Sequence, residues 1–147
     1  MTDHSEFPHP IYRDTVLAPL FEGVKTHYAD HMMAINKAHL VMLAETGILT
    51  ADTARQIARA LRDIEAETDI DALIYTGEHE DYFFLVEAEL RRRLGDTGGA
   101  LHTARSRNDM DHTSFKMALR GSADALLTHL TGTAQRIYGV SLTAKQG

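Results

Sequence analysis

The longest periodic segment of the chain limits the folds that it can adopt. From about Asp109 to Tyr138 the apolar residues recur at helical spacing, and a helix of that length extends for roughly 45 Å. A compact domain of 147 residues has a diameter of about 35–40 Å. We therefore expect this helix to overhang its own domain. Its apolar face would need other helices, from further sequence or from other subunits.

The other periodic segments are helical in pattern as well. Helices are predicted from about Leu20 to Thr46, from the N-cap candidate Thr50 onward, and from Glu80 to Leu94, and no segment alternates like a strand. The sequence predicts an all-α fold, in which an N-terminal helical domain precedes the first long helix of a central bundle that these residues do not complete. The predicted regions are an arm (1–16), the helical domain (17–108), the start of the bundle (109–138) and a tail without periodicity (139–147).

The composition excludes several classes of function. A formal net charge of −6 argues against nucleic acid or an anionic membrane as the main partner. The chain has no apolar run of membrane-spanning length and no signal-like start, so a cytoplasmic location is expected. The chain contains no cysteine, and the pair His27 and His31 lacks a third ligand at a telling distance. We therefore expect no metal site and no cofactor.

Hydrogen-bond donors are concentrated in the segment Leu101–Asp111, which reads LHTARSRNDMD. Arg105 and Arg107 are two residues apart, so in an extended loop their side chains would point the same way. Asn108 is a candidate N-cap for the long helix, whose N-terminus would offer free N–H groups to an anion. Arg107 would add a bidentate fork suited to a carboxylate, and Ser106 and Asn108 would add neutral donors.

The residues alone leave a second interpretation of this segment open. Both arginines could pair with nearby aspartates while Asn108 only caps the helix; the candidate partners are Asp96, Asp109 and Asp111. Asn36 is a related case, because it interrupts the apolar stripe of Met32 and Leu40. It is either a core amide paired with a neighbouring helix or an amide that lines a pocket.

Three stretches of the chain resemble one enzyme family. HTARSRND, at residues 102–109, resembles HTGRSRND, the first signature of the argininosuccinate lyase family within the fumarase/aspartase superfamily. NKAHLVMLAETGIL and EDYFFLVEAEL resemble two of the family's helices, written SxAHxxML…GIL and EDxHxxIEaxL. The resemblance extends in order over about residues 20–130.

The resemblance implies a mostly helical homotetramer whose long helices bundle together and whose active sites are built from several subunits. It implies elimination of an amine from an N-succinyl amine with release of fumarate, without a cofactor. Ser106, Arg107 and Asn108 would bind the carboxylates of this dicarboxylate-type substrate. Asn36, at a position where many members have serine, would join them.

Departures from the family pattern shift the expected substrate and activity. Ala104 replaces the usual glycine, Met110 the usual glutamine, and Phe83 the histidine of EDxH. Together with Asn36 these residues resemble relatives that act on aminopolycarboxylates such as ethylenediamine-disuccinate. The second and third family signatures, which supply a histidine and the serine base, are absent from these 147 residues.

No catalytic residue is therefore assigned from the sequence. We expect an N-terminal fragment that is inactive alone, whether it arises from a truncated gene, a frameshift or a split gene. The alternative function is a noncatalytic helical assembly module that pairs with full-length subunits or binds a dicarboxylate.

Overall fold

The computed structural model describes residues 8–146, in which all regular structure is helical. The predicted all-α fold is thus confirmed. The main helices are α1 (Ala18–Glu45), α2 (Ala51–Glu67), α3 (Tyr82–Leu94), the short α4 (Asp96–Gly99) and α5 (Arg107–Gln146).

The first helical segment begins earlier than the predicted start near Leu20. A helical turn at Pro10–Tyr12 and a π-helical turn at Arg13–Leu17 lead directly into α1. Pro10 does not interrupt the segment, because a proline in the first helical position lacks only an N–H that would have no partner there. Residues 1–7 of the predicted arm lie outside the described residues, whereas residues 10–16 are helical.

Helix α2 follows its sequence pattern closely. The Thr50 hydroxyl accepts a hydrogen bond from the Thr53 backbone N–H at 3.2 Å, which confirms Thr50 as the N-cap. The predicted apolar stripe is buried against α1 and α3; its residues are Ala54, Ile57, Leu61 and Ile64. The stripe contributes one side of a single apolar core, to which α1, α3, Leu101 and the start of α5 also contribute.

Helix α3 begins two residues later than predicted, because Asp81 caps it from outside. The Asp81 Oδ1 atom accepts hydrogen bonds from the backbone N–H groups of Phe83 (2.9 Å) and Phe84 (3.3 Å). Glu80 therefore lies in the connection that precedes the helix, not within its first turn. The cap places a fully buried carboxylate near the start of α5.

The segment between α3 and α5 is more ordered than the predicted loop. It contains α4 and a 3-10 turn at Ala100–His102. The backbones of α3 and α4 approach closely at Gly98, where a Cβ atom would lie 2.6 Å from the Leu90 carbonyl carbon. At Ala104 the chain adopts a positive φ of 59°, a conformation that favours glycine. These two features direct the chain into α5.

Helix α5 overhangs the core, as its length predicts. Its 40 residues extend for about 60 Å. Its buried side chains, among those described, are Met110 and Ser114 near its start. The predicted stripe farther along is exposed: Leu127, Leu130 and Ile137 are 61%, 58% and 66% accessible. The prediction that residues 139–147 lose helical structure is wrong up to Gln146, because the helix continues through them.

No helix in the described range is both long and apolar enough to cross a membrane.

Candidate carboxylate-binding site

The start of α5 is closed by a reciprocal hydrogen-bonded turn. Ser106 Oγ accepts a hydrogen bond from the Asp109 backbone N–H at 3.4 Å, and Asp109 Oδ2 accepts one from the Ser106 backbone N–H at 2.8 Å. Ser106 is therefore the N-cap, and the prediction that Asn108 caps the helix is wrong. A serine with an acidic residue three positions later is the expected capping pattern, so the signal was present in the sequence.

This turn also determines the charge at the helix N-terminus. The Ser106 hydroxyl donates a second hydrogen bond to Asp109 Oδ2 at 2.9 Å. The backbone and hydroxyl hydrogen bonds from Ser106 hold the pKa of Asp109 below its ordinary value, so the carboxylate is charged at neutral pH. Both donors of Ser106 are thus occupied within the turn. A ligand carboxylate would reach Ser106 only by displacing Asp109.

Arg107 is the first residue of α5, and it joins this helix to α3. Its Nη2 donates to Asp81 Oδ2, and its Nη1 lies 3.3 Å from Glu80 Oε1. The guanidinium also lies over the Phe84 ring, 5.5 Å from the ring centroid, which is a cation–π arrangement. Because three groups constrain the guanidinium, its orientation is largely set before any ligand arrives.

Asp81 is the fixed partner of Arg107. Its side chain is fully buried, with one oxygen capping α3 and the other accepting from Arg107. Burial raises the pKa of the Asp81 carboxyl, while the Arg107 guanidinium and the two backbone N–H groups offset part of that rise. The sequence alone gives no sign of this pairing, because Asp81 and Arg107 are 26 residues apart.

Arg105 takes a different direction from Arg107, contrary to the prediction that their side chains share one. Arg105 Nη2 donates to Asn36 Oδ1 at 2.5 Å and lies 3.4 Å from His102 Nδ1. The extended-loop rule fails here because the positive φ at Ala104 turns the chain and helix begins at Arg107. The two arginines therefore contact different helices.

Arg105 is also an incompletely paired cation. Its Nε and Nη1 atoms are buried without a hydrogen-bond partner in the described structure. Burial lowers the pKa of Arg105 to about 10, so the side chain remains charged at neutral pH. No carboxylate in the described part of the chain lies within ion-pair distance of it. The nearest group that offsets its positive charge is the amide oxygen of Asn36.

The four predicted binding residues are not equally available to a ligand. Asn36 contacts the motif only through Arg105. Asn36 is buried, and its amide oxygen is occupied by the arginine, so it pairs with the motif and not with a neighbouring helix. The Asn108 side chain is exposed and makes no hydrogen bond to the described residues. Asn108 therefore keeps its donors at the surface, and Arg107 is partly exposed with its two Nη groups on Asp81 and Glu80. Ser106 and Asn36 are engaged internally.

The wall beside Arg105 is aromatic. The Phe83 ring lies 5.0 Å from the His102 ring, centroid to centroid, and 5.1 Å from that of Phe84. His102 is half-buried, and burial lowers the pKa of its imidazole, which favours the neutral ring. Across residues 8–146, no group of three or more His, Cys, Asp or Glu side chains is arranged to hold a metal ion.

Comparison with known proteins relates the chain to one family. It is 56% identical over 126 residues to argininosuccinate lyase 2 of Agrobacterium fabrum, a match that includes 85% of this chain. It is 38% identical over 103 residues, 70% of the chain, to the argininosuccinate lyase of Desulfotalea psychrophila. The chain belongs to the argininosuccinate lyase family. It corresponds to an N-terminal portion of a member, as the signature at residues 102–109 predicted.

The matches also define how much of a family member is present. The chain spans 25% of the length of the Agrobacterium protein and 22% of the Desulfotalea protein. The argininosuccinate lyase of Hahella chejuensis is 41% identical over 93 residues, which is 20% of that protein. No protein-family model matches the chain.

Proposed function

We propose that this chain forms the carboxylate-binding part of an argininosuccinate lyase-like C–N lyase, which releases fumarate from an N-succinyl amine by β-elimination. The observation that supports the proposal most directly is the position of Arg107. A guanidinium held by Asp81 and Phe84 stands at the N-terminus of a long helix, where backbone N–H groups and the helix dipole also favour an anion.

The chemistry of the elimination explains the use of such a site. Loss of the Cβ proton places negative charge on the adjacent carboxylate, which needs fixed donors in the transition state. Arg107 could supply a charged donor at Nη1, and Asn108 a neutral donor. Ser106 and Asn36 would contribute by shaping the turn and by orienting Arg105. No residue of this chain is proposed as the base.

The side chains around the site favour an aminopolycarboxylate as the alternative substrate. The position where the family pattern has histidine is occupied by Phe83, which is 9% exposed and whose ring packs on His102. This exchange removes an imidazole and leaves an apolar wall. Ethylenediamine-disuccinate carries the same succinyl group on a different amine, so carboxylate binding would be shared and amine recognition would differ.

The proposal extends to partners and location. The exposed apolar side chains of α5 support a homo-oligomer of the cytoplasmic enzyme in which other helices, from other subunits or from a C-terminal part, cover this face. A noncatalytic module that pairs with full-length subunits would use the same face. The two alternatives differ in whether the assembled protein releases fumarate.

A titration of the purified chain with fumarate tests the proposed site. We expect saturable binding by calorimetry, and at least about a tenfold loss of affinity in Arg107→Lys. This variant keeps the positive charge beside Asp81 but lacks the planar guanidinium, whose separate Nη groups can serve Asp81 and a ligand at once. Arg93→Lys is the matched control, because Arg93 pairs with Glu67 and Glu89 at the other end of α3. Equal fumarate affinity in Arg107→Lys and the parent chain would contradict the proposal.

A further inference from the structure

Three carboxylates lie within ion-pair distance of the Arg107 guanidinium, and the adjacent pair Glu80 and Asp81 differs in burial. We propose that the Glu80 side chain occupies the place of a substrate carboxylate on Arg107, and so sets the affinity of the site by competing with the ligand. This inference rests on the proposed function, since it concerns the same arginine. It assigns to Glu80 a role that the family resemblance does not.

The Asp81 side chain is fixed in its ion pair with Arg107. Its Oδ1 holds two backbone N–H groups of α3, and its side chain has no solvent exposure. If the Asp81 side chain moved, α3 would lose its cap; if Arg107 moved, a buried carboxylate would be left without its charged partner. A ligand must bind to Arg107 with this ion pair intact.

The Glu80 side chain, in contrast, is free to move away from Arg107. Its side chain is 49% exposed, and its contact with Arg107 Nη1, at 3.3 Å, is long for a charged hydrogen bond. Glu80 precedes the N-cap of α3, so helix packing does not constrain its side chain. The described residues offer it no other ion-pair partner. Rotation of the Glu80 side chain into solvent would cost one exposed ion pair and would break no helix.

The geometry makes the Glu80 carboxylate a substitute for a ligand carboxylate. Asp81 occupies the Nη2 side of the guanidinium and the Phe84 ring covers one face, so Nη1 is the donor left for an incoming anion. Glu80 lies at that atom. Its charge adds to the negative potential of Asp81, and Asp111 Oδ2 lies 3.7 Å from Arg107 Nε. A dicarboxylate must displace Glu80 to reach Nη1 and must also approach against these negative charges.

Replacement of Glu80 by glutamine isolates the competition. Glu80→Gln keeps the size of the side chain and removes its charge, so we expect fumarate to bind about two- to fivefold more tightly, the range for loss of one exposed ion pair. Glu78→Gln is the control, because Glu78 is an exposed carboxylate in the same connection and makes no contact with Arg107. Its fumarate affinity should equal that of the parent chain. Circular dichroism of each variant verifies the fold.

The possible outcomes separate this inference from the proposed function. Tighter binding in Glu80→Gln, with Glu78→Gln unchanged, supports the competition. If the parent chain binds fumarate through Arg107 and Glu80→Gln binds no more tightly, the competition is refuted and the carboxylate site stands. An equal gain in both glutamine variants also refutes it, because that gain would be a general effect of net charge. Absence of binding in every variant refutes both proposals.

Discussion

The close contact between α3 and α4 offers a sharp test of how the structure positions the site. Gly98→Ala would place a Cβ atom 2.6 Å from the Leu90 carbonyl carbon, 2.9 Å from the Arg91 nitrogen and closer still to the Leu90 oxygen. All three are backbone atoms of a packed helix, so no side-chain rotation relieves the contact. Either α4 or α3 must shift by close to an ångström.

The magnitude follows from two opposing effects. Overpacking of a packed site costs about 1–3 kcal/mol, while replacing a helical glycine with alanine gains up to about 1 kcal/mol in backbone entropy. We expect a net loss of about 1–2 kcal/mol in the free energy of unfolding. For a chain of this size that corresponds to a fall of about 2–8 °C in Tm. Because α4 leads into the arginine motif, fumarate binding should weaken as well.

Gly99→Ala is the matched control for this prediction. Its Cβ would meet only the flexible Arg91 guanidinium, at 3.5 Å, so the propensity gain should remain and Tm should stay constant or rise. Thermal unfolding followed by circular dichroism measures both variants. If Gly98→Ala is as stable as Gly99→Ala, the close approach of α3 and α4 is wrong, and with it the stated placement of the motif.

Three further changes test the turn and its ion pair. Ala104→Gly should stabilise the chain by about 0.5–1 kcal/mol, because relief of a left-handed conformation exceeds the entropy cost of glycine; a lower midpoint in urea denaturation would contradict this. Asp81→Ala should lower the free energy of unfolding by about 2–4 kcal/mol. Asp81→Asn should lower it by less, because asparagine still caps α3. Equal losses in denaturant titrations would argue against the cap. The folded-state pKa of Asp109 is lowered, so its contribution to stability is present above about pH 4 and is lost as the pH falls through the folded-state pKa. The stability difference between the parent chain and Asp109→Asn should therefore shrink between pH 5 and 3. A constant difference would count against the Ser106 turn.

Much of the helical framework could be predicted because its signals are local. The 3-4 spacing of Ala54, Ile57 and Leu61 identified the buried face of α2, and Thr50 identified its start. The Ser106 cap was equally local, and it was missed because Asn108 fitted the same preference two residues later. The helical start at Pro10 lies within the predicted arm (1–16), although proline is favoured in the first helical position.

The amino-acid sequence by itself determined the all-α class, the overhanging helix and the family, since periodicity and signature residues lie within short stretches. Only the tertiary structure decided what each arginine does. Asp81 and Arg107 are 26 residues apart in sequence, and Asn36 and Arg105 are 69 apart. A guanidinium donates to any nearby oxygen, so residue types cannot identify its partner. The packing of α1 and α3 around the start of α5 places Asn36 and Asp81 within reach. It thereby leaves Arg105 without a carboxylate and brings Glu80 and Asp81 to Arg107.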